Sequence, residues 1–141
     1  TDIERLAQHR IIAERLSSTD WKVRRDCLRF LDHVLTPAVA PRVLDCLRDD
    51  HPEVRKWAAH ALGCDHCKDG ADLGLDPVPH LIEAALNDAS IKVRRSAVVA
   101  LAWNQAPDAR IASFLETLLE SENDAKIRLH AEGGAERHRN G

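Results

Sequence analysis

Two thiols stand three residues apart in Cys64-Asp65-His66-Cys67 of this 141-residue chain, with several imidazoles near them. A deprotonated cysteine pair at that spacing binds one zinc ion, and a structural site then needs two further nitrogen or sulfur ligands. His60 precedes Cys64 by four residues, one helical turn, so the two are expected on one helix face. His66 lies within the tetrapeptide, while His33 and His80 are further imidazoles that the repeat described below brings within reach. Cys64, Cys67, His60 and His66 therefore form the candidate metal site, with zinc as the metal. There is no second CxxC, and two other readings stay open beside zinc. One is a redox dithiol, although the βαβ context such dithiols keep is absent. The other is an ordinary loop with two thiols and no cofactor. Cys27 and Cys46 fall on apolar helix positions and read as small hydrophobes.

A second group of residues suits recognition. Trp57 and Trp103 are surrounded in sequence or register by Arg25, Arg29, Lys56, His60, Arg95 and Val99. Aromatic and arginine anchors dominate binding energies at protein interfaces, so these eight residues are the candidate partner-binding set, the equal alternative being that each Trp packs over the adjacent helix and covers a gap left by small Ala residues. Basic side chains interleaved with tryptophan would also follow a phosphate backbone with stacked bases, which is the competing reading. Trp21, at a helix start, reads as a local staple. No phosphate-binding glycine loop, GxSxG or HExxH occurs, and the pair Asp49-Asp50 sits in a turn where capping explains it. The chain is expected not to be an enzyme.

Hydrophobic residues make up 44% of the chain and charged residues 30%, enough for a folded core. Aromatics are only 4%, with no Tyr, and the commonest types favour helices over a β-sandwich. A net charge of −3 argues against a strongly basic nucleic-acid module. No apolar stretch is long enough to span a membrane, and TDIERLAQHR carries charges where a secretory signal needs an apolar core. A cytoplasmic protein with no membrane partner is expected, as a monomer or weak dimer.

The elements that must hold these groups show themselves as a repeat. Trp21–Leu31, Pro52–Leu62, Ile91–Leu101 and Ala125–Ala135 align, each with a β-branched residue followed by Arg. Val23, Val54, Val93 and Ile127 recur at intervals of 31, 39 and 34 residues, a period suited to stacked helical hairpins. Four, five, seven and eight residues later come Cys27, Leu28, Phe30, Leu31, then Ala58, Ala59, Ala61, Leu62, then Ala97, Val98, Ala100, Leu101. That spacing gives one buried helical stripe. The fourth unit has Ala131, Glu132, Gly134 and Ala135 there, which predicts a weak helix with a fraying end. Partner helices are expected over Ile3–Leu16, Pro41–Leu47, Val78–Leu86 and Ile111–Leu119, with Asp- and Ser-rich turns capping the helices that follow. The resulting fold is all-α: a right-handed α-solenoid of about four antiparallel hairpins in one domain, 1–141. Its units are 1–35, 37–63, 76–104 and 107–136, with an insert loop at 64–77 and a flexible tail at 137–141.

LRDDHPEVRKWAAHALG (Leu47–Gly63) and LNDASIKVRRSAVVALA (Leu86–Ala102) resemble HEAT repeats of the phycobilin-lyase type. The resemblance extends over all four units. It implies a helical scaffold that binds proteins or peptides on the concave face made by the second helices. It also implies a ladder between adjacent repeats, supported by an Asp six residues before the Arg: Asp49 with Arg55, and Asp88 with Arg94. Ser18 and Glu122 hold that position in the outer units, which leaves the amino-terminal end without a ladder carboxylate. Arg24, Arg55, Arg94 and Arg128 thus belong to stacking rather than to a site. The resemblance reaches some alkylpurine DNA glycosylases, which are built from HEAT-like repeats, but no catalytic Asp set between paired Trp residues is found here.

Overall fold

The computed structural model describes residues 2–32, 35–63, 74–103 and 105–140, and every regular element among them is helical. The order is α1 (Asp2–Glu14), α2 (Trp21–Leu31), α3 (Ala40–Asp45), α4 (Pro52–Gly63), α5 (Val78–Asn87), α6 (Ile91–Trp103), α7 (Ala109–Leu119) and α8 (Ala125–Arg139). Short 3₁₀ turns, Arg15–Ser17 and Cys46–Arg48, finish the α1 and α3 segments. Each pair is an antiparallel hairpin, and the four pairs stack into an α-solenoid.

Local chemistry sets the helix starts. Asp20, Asp108 and Asp124 accept hydrogen bonds from the backbone N–H groups of Lys22, Arg110 and Ile127, at 2.9, 2.8 and 3.0 Å. These satisfy donors that have no partner within the helix. At α4 the cap is an imidazole: His51 Nδ1 accepts from Glu53 N at 3.1 Å.

The interior is a succession of interfaces. Ala58, Ala61 and Leu62 of α4 are buried with Leu28 and Leu31 of α2 and Val43 of α3. Ala59, one residue along, faces the other way into a cluster with Val98 and Leu101 of α6 and Ile127 of α8. A helix buried on both sides needs small residues where its neighbours come closest. A methyl group on Gly63 would lie 2.2 Å from Ala100 Cβ, and one on Gly134 would lie 2.4 Å from Ala102 Cβ. The first helices stand further apart, leaving a groove of about 270 Å³ between α3 and α5, lined by Leu44, Leu47, His80 and Glu83. The second helices α2, α4, α6 and α8 therefore form the tight row of the stack.

The arginine after each β-branched residue works in two directions. Arg24, Arg55, Arg94 and Arg128 each donate through Nη1 to the carbonyl six residues earlier, on Ser18, Asp49, Asp88 and Glu122, at 2.8–2.9 Å. Because this acceptor is backbone, any side chain serves there. Between units, Arg24 forks onto the Asp49 carboxylate at 2.8 and 2.9 Å, and Arg55 onto Asp88 at 2.9 and 3.2 Å. The carboxylate thus comes from the following repeat, and the amino-terminal rung forms without help from Ser18. At the third junction the rung moves by one residue: Arg95 forks onto Asp124, at 3.2 and 2.6 Å.

The fourth unit differs from its expectation. Its second helix runs for 15 residues with Gly134 and Ala135 buried, because the glycines admit α6 rather than loosen the helix. Residues 137–139, expected in a flexible tail, are helical. Arg137 donates to the carbonyls of Ala102 and Gln105. His138 Nδ1 accepts from Asp108 N at 2.9 Å, which leaves Nε2–H to donate to Leu101 O at 2.7 Å. Glu132 is exposed at the position of buried Leu28, Ala59 and Val98, giving the last hairpin a polar outer face.

Candidate functional site

The exposed chemistry of the second-helix row concentrates where α2 meets α4. Small buried residues on α4 hold its backbone close to both neighbours, and Trp57 stands half-buried at the rim. The Arg29 guanidinium lies 5.2 Å from the Trp57 ring centre and Lys56 Nζ lies 5.6 Å from it, both within cation–π range. His60, one turn on, meets the indole edge-to-face at 5.4 Å. Asp26, Arg29, Phe30, Asp32 and Trp57 line a hollow of about 480 Å³. Phe30, expected in the buried stripe, is instead 44% exposed, an apolar ring left beside that hollow.

Asp32 forms the floor. Its side chain is 4% exposed, and its Oδ2 lies 3.1 Å from His60 Nε2, while Oδ1 has no hydrogen-bond partner. The repeat alignment carried a signal that the reading of motifs missed: Asp32 occupies the position of Gly63 and Ala102, both buried small residues. A carboxylate at such a place needs a specific reason.

A second aromatic contact lies at the helix starts. Trp21 stacks on His51 of the next unit, 3.7 Å between ring centres and 8° from parallel, so it bridges two repeats rather than stapling one. Arg25 covers its other surroundings, 5.1 Å from the ring, and bonds Asp26 at 3.0 Å.

The carboxyl-terminal half of the proposed face is occupied internally. Arg95 is held by Asp124, and that bond keeps the Asp124 carboxyl down at about 2. Trp103 Nε1 donates to His130 Nδ1 at 2.9 Å, and its ring lies over Gly133, where a methyl group would come within 2.5 Å. Trp103 therefore packs over α8 at Gly133 while 38% of it stays exposed. Val99 is half-buried beside them, and Ser96 Oγ donates to Lys56 O at 3.1 Å, tying α6 to α4.

Burial pushes the Cys46 thiol up to about 11 and also raises that of Cys27, so both stay protonated near neutrality. His33, Cys64, His66 and Cys67 lie outside the described residues. Among the described residues no three His, Cys, Asp or Glu side chains are grouped to hold a metal. His80 is exposed on α5, in the groove facing α3.

Residues 10–69 match the family model for HEAT repeats. These residues are HEAT repeats. The third and fourth hairpins, beyond the matched residues, carry the same carbonyl-bound arginine. The solved crystal structure of an engineered protein from the Northeast Structural Genomics Consortium superposes with a TM-score of 0.68. It is 23% identical and matches over 98% of this chain, which spans 65% of that protein's length. The likeness establishes the helical-repeat fold. No curated protein matches the chain.

Proposed function

We propose that this HEAT-repeat chain is a non-catalytic scaffold that docks a protein segment on the α2–α4 part of its second-helix row. The observation that carries the reading is the ledge of Trp57, Arg29 and Phe30 around a hollow in an otherwise close-packed row. Indole and guanidinium groups give large binding energies when a partner desolvates them. The backbone below them is already ordered by Arg24–Asp49 and Arg55–Asp88, so docking costs little ordering of the scaffold.

The same geometry favours protein over nucleic acid. Arg25 and Arg29 share Asp26, at 3.0 and 4.0 Å, and Lys56 meets Glu53 at 3.5 Å. With Arg95 held by Asp124, the row offers alternating charges rather than a run of free cations for phosphates. Among the described residues no helix is long and apolar enough to cross a membrane.

The test compares affinity capture by the wild type, Trp57→Ala and Trp103→Ala, each checked for unchanged helicity. A partner retained by Trp103→Ala and lost with Trp57→Ala supports the assignment. Equal capture by all three would remove Trp57 from the interface.

A further inference from the structure

Among the described residues that line the α2–α4 hollow, Asp32 is the charge that the chain leaves unmatched. Arg25 and Arg29 share Asp26, and Lys56 meets Glu53, so the cations of the rim have acids of their own. Asp32 has an imidazole alone: its ion-pair partner among the described residues is His60, and Oδ1 has no hydrogen bond. Stacking does not require a carboxylate here, since the next two repeats hold Gly63 and Ala102 at this position. A buried, poorly compensated carboxylate destabilises the free protein, and a cation supplied from outside removes that cost. The same hollow contains two aromatic rings, Phe30 and Trp57. A long apolar stem ending in a positive charge complements this combination, the stem covering the rings while the charge meets the carboxylate.

Lysine and arginine both have that shape, and the carboxylate chooses between them. Oδ1 is closed to water and Oδ2 lies 3.1 Å from His60 Nε2, so the group does not present the open pair of oxygens that a guanidinium fork takes. An ammonium is a compact charge with three rotatable donors, and one oxygen suffices for it.

We propose that the hollow is a lysine site: the protein segment docked on the α2–α4 ledge inserts a lysine whose ammonium pairs with Asp32 and whose stem lies along Phe30 and the rim of Trp57. The site rests on the docking reading of the ledge and names the residue that its partner carries. Arg29 already lies 5.2 Å from the indole centre, so the preference for a cation comes from Asp32 rather than from the face of Trp57.

Retention of short degenerate peptide pools on the immobilised full-length chain tests it. Each pool has lysine, arginine or norleucine fixed at its centre, with lysine and arginine left out of the flanking mixture. The wild type is expected to retain the lysine pool about 10-fold better than the norleucine pool, the factor of one charge-assisted hydrogen bond, and better than the arginine pool. Asp32→Asn brings lysine retention down to the norleucine level. Asp32→Ala does the same, and remains available if Asp32→Asn does not fold because Ala102 already occupies the equivalent position. A lysine pool retained no better than norleucine by the wild type overturns the site, as does a lysine preference that survives in the folded Asp32 variants. Arginine retained as well as lysine overturns the choice of side chain. Partner capture by Trp57→Ala is scored apart: capture lost in that variant, with no lysine preference in the wild type, removes the lysine site and leaves the docking reading standing.

Discussion

Gly63→Ala adds one methyl group where α4 and α6 approach most closely, and the structure sets its cost. The new Cβ would lie 2.2 Å from Ala100 Cβ and 3.2 Å from Ala100 Cα, whereas carbons in comfortable contact are about 3.5–4.0 Å apart. Overpacking of this kind costs about 1–3 kcal/mol, against a gain of at most about 1 kcal/mol for replacing glycine in a helix. The steric term wins, and a net loss of about 1–2 kcal/mol is expected. Ala100→Gly alone forfeits a buried methyl worth about 0.8 kcal/mol and about 1 kcal/mol of helix propensity. Together, Gly63→Ala and Ala100→Gly move the methyl from one helix to the other, restoring both volume and composition. Only the contact with the residue 100 Cα remains tight, so the double variant is expected within about 1 kcal/mol of wild type, far from the additive sum. Urea unfolding followed by circular dichroism reads this directly: with a slope of about 1–3 kcal/mol per M, a loss of 2 kcal/mol moves the midpoint by about 1 M. Additive losses, or a Gly63→Ala protein as stable as wild type, would refute the close approach on which the tight row rests.

Four further outcomes are expected. Asp49 and Asp124 both titrate below the usual carboxylate range: burial pushes Asp49 up, but the Arg24 bond and the His51 N–H outweigh it, and the Arg95 bond holds Asp124 at about 2. Their contribution is complete above the unfolded-state value and is lost as pH falls toward 2, so Asp49→Asn and Asp124→Asn should each flatten the acid limb of a stability–pH curve. Replacing His138 with Ala removes bonds to Asp108 N and Leu101 O, for a loss of about 2 kcal/mol and faster hydrogen exchange at the Asp108 amide. Trp103→Ala opens the space over Gly133 and should cost about 1–3 kcal/mol, below the loss for a fully buried tryptophan, as read by urea midpoint. In native, metal-free protein a thiol reagent should leave Cys27 and Cys46 unreacted until urea is added, because burial keeps both protonated.

The repeat was legible because it rests on spacing. Val23, Val54, Val93 and Ile127 mark the second helices, and the small residues after them mark the buried stripe within a residue or two of the observed elements. Less was legible at the site. Trp57 and Trp103 occupy equivalent helix faces with similar neighbours, yet one rims a hollow and the other covers Gly133. The difference lies in the adjoining repeat, which places Arg29 and Phe30 beside the first and a glycine beneath the second.

Sequence by itself determined the all-helical hairpin array, its period and its recurring arginines, because helix periodicity and capping act over a few neighbouring residues. Tertiary structure decided which carboxylate each arginine takes, that Arg95 replaces Arg94 at the third junction, and that Gly134 tightens α8 rather than loosening it. It alone set Asp32 behind His60. These are contacts between residues some 25 to 40 positions apart, fixed by the distance between stacked helices, and no local pattern contains that distance.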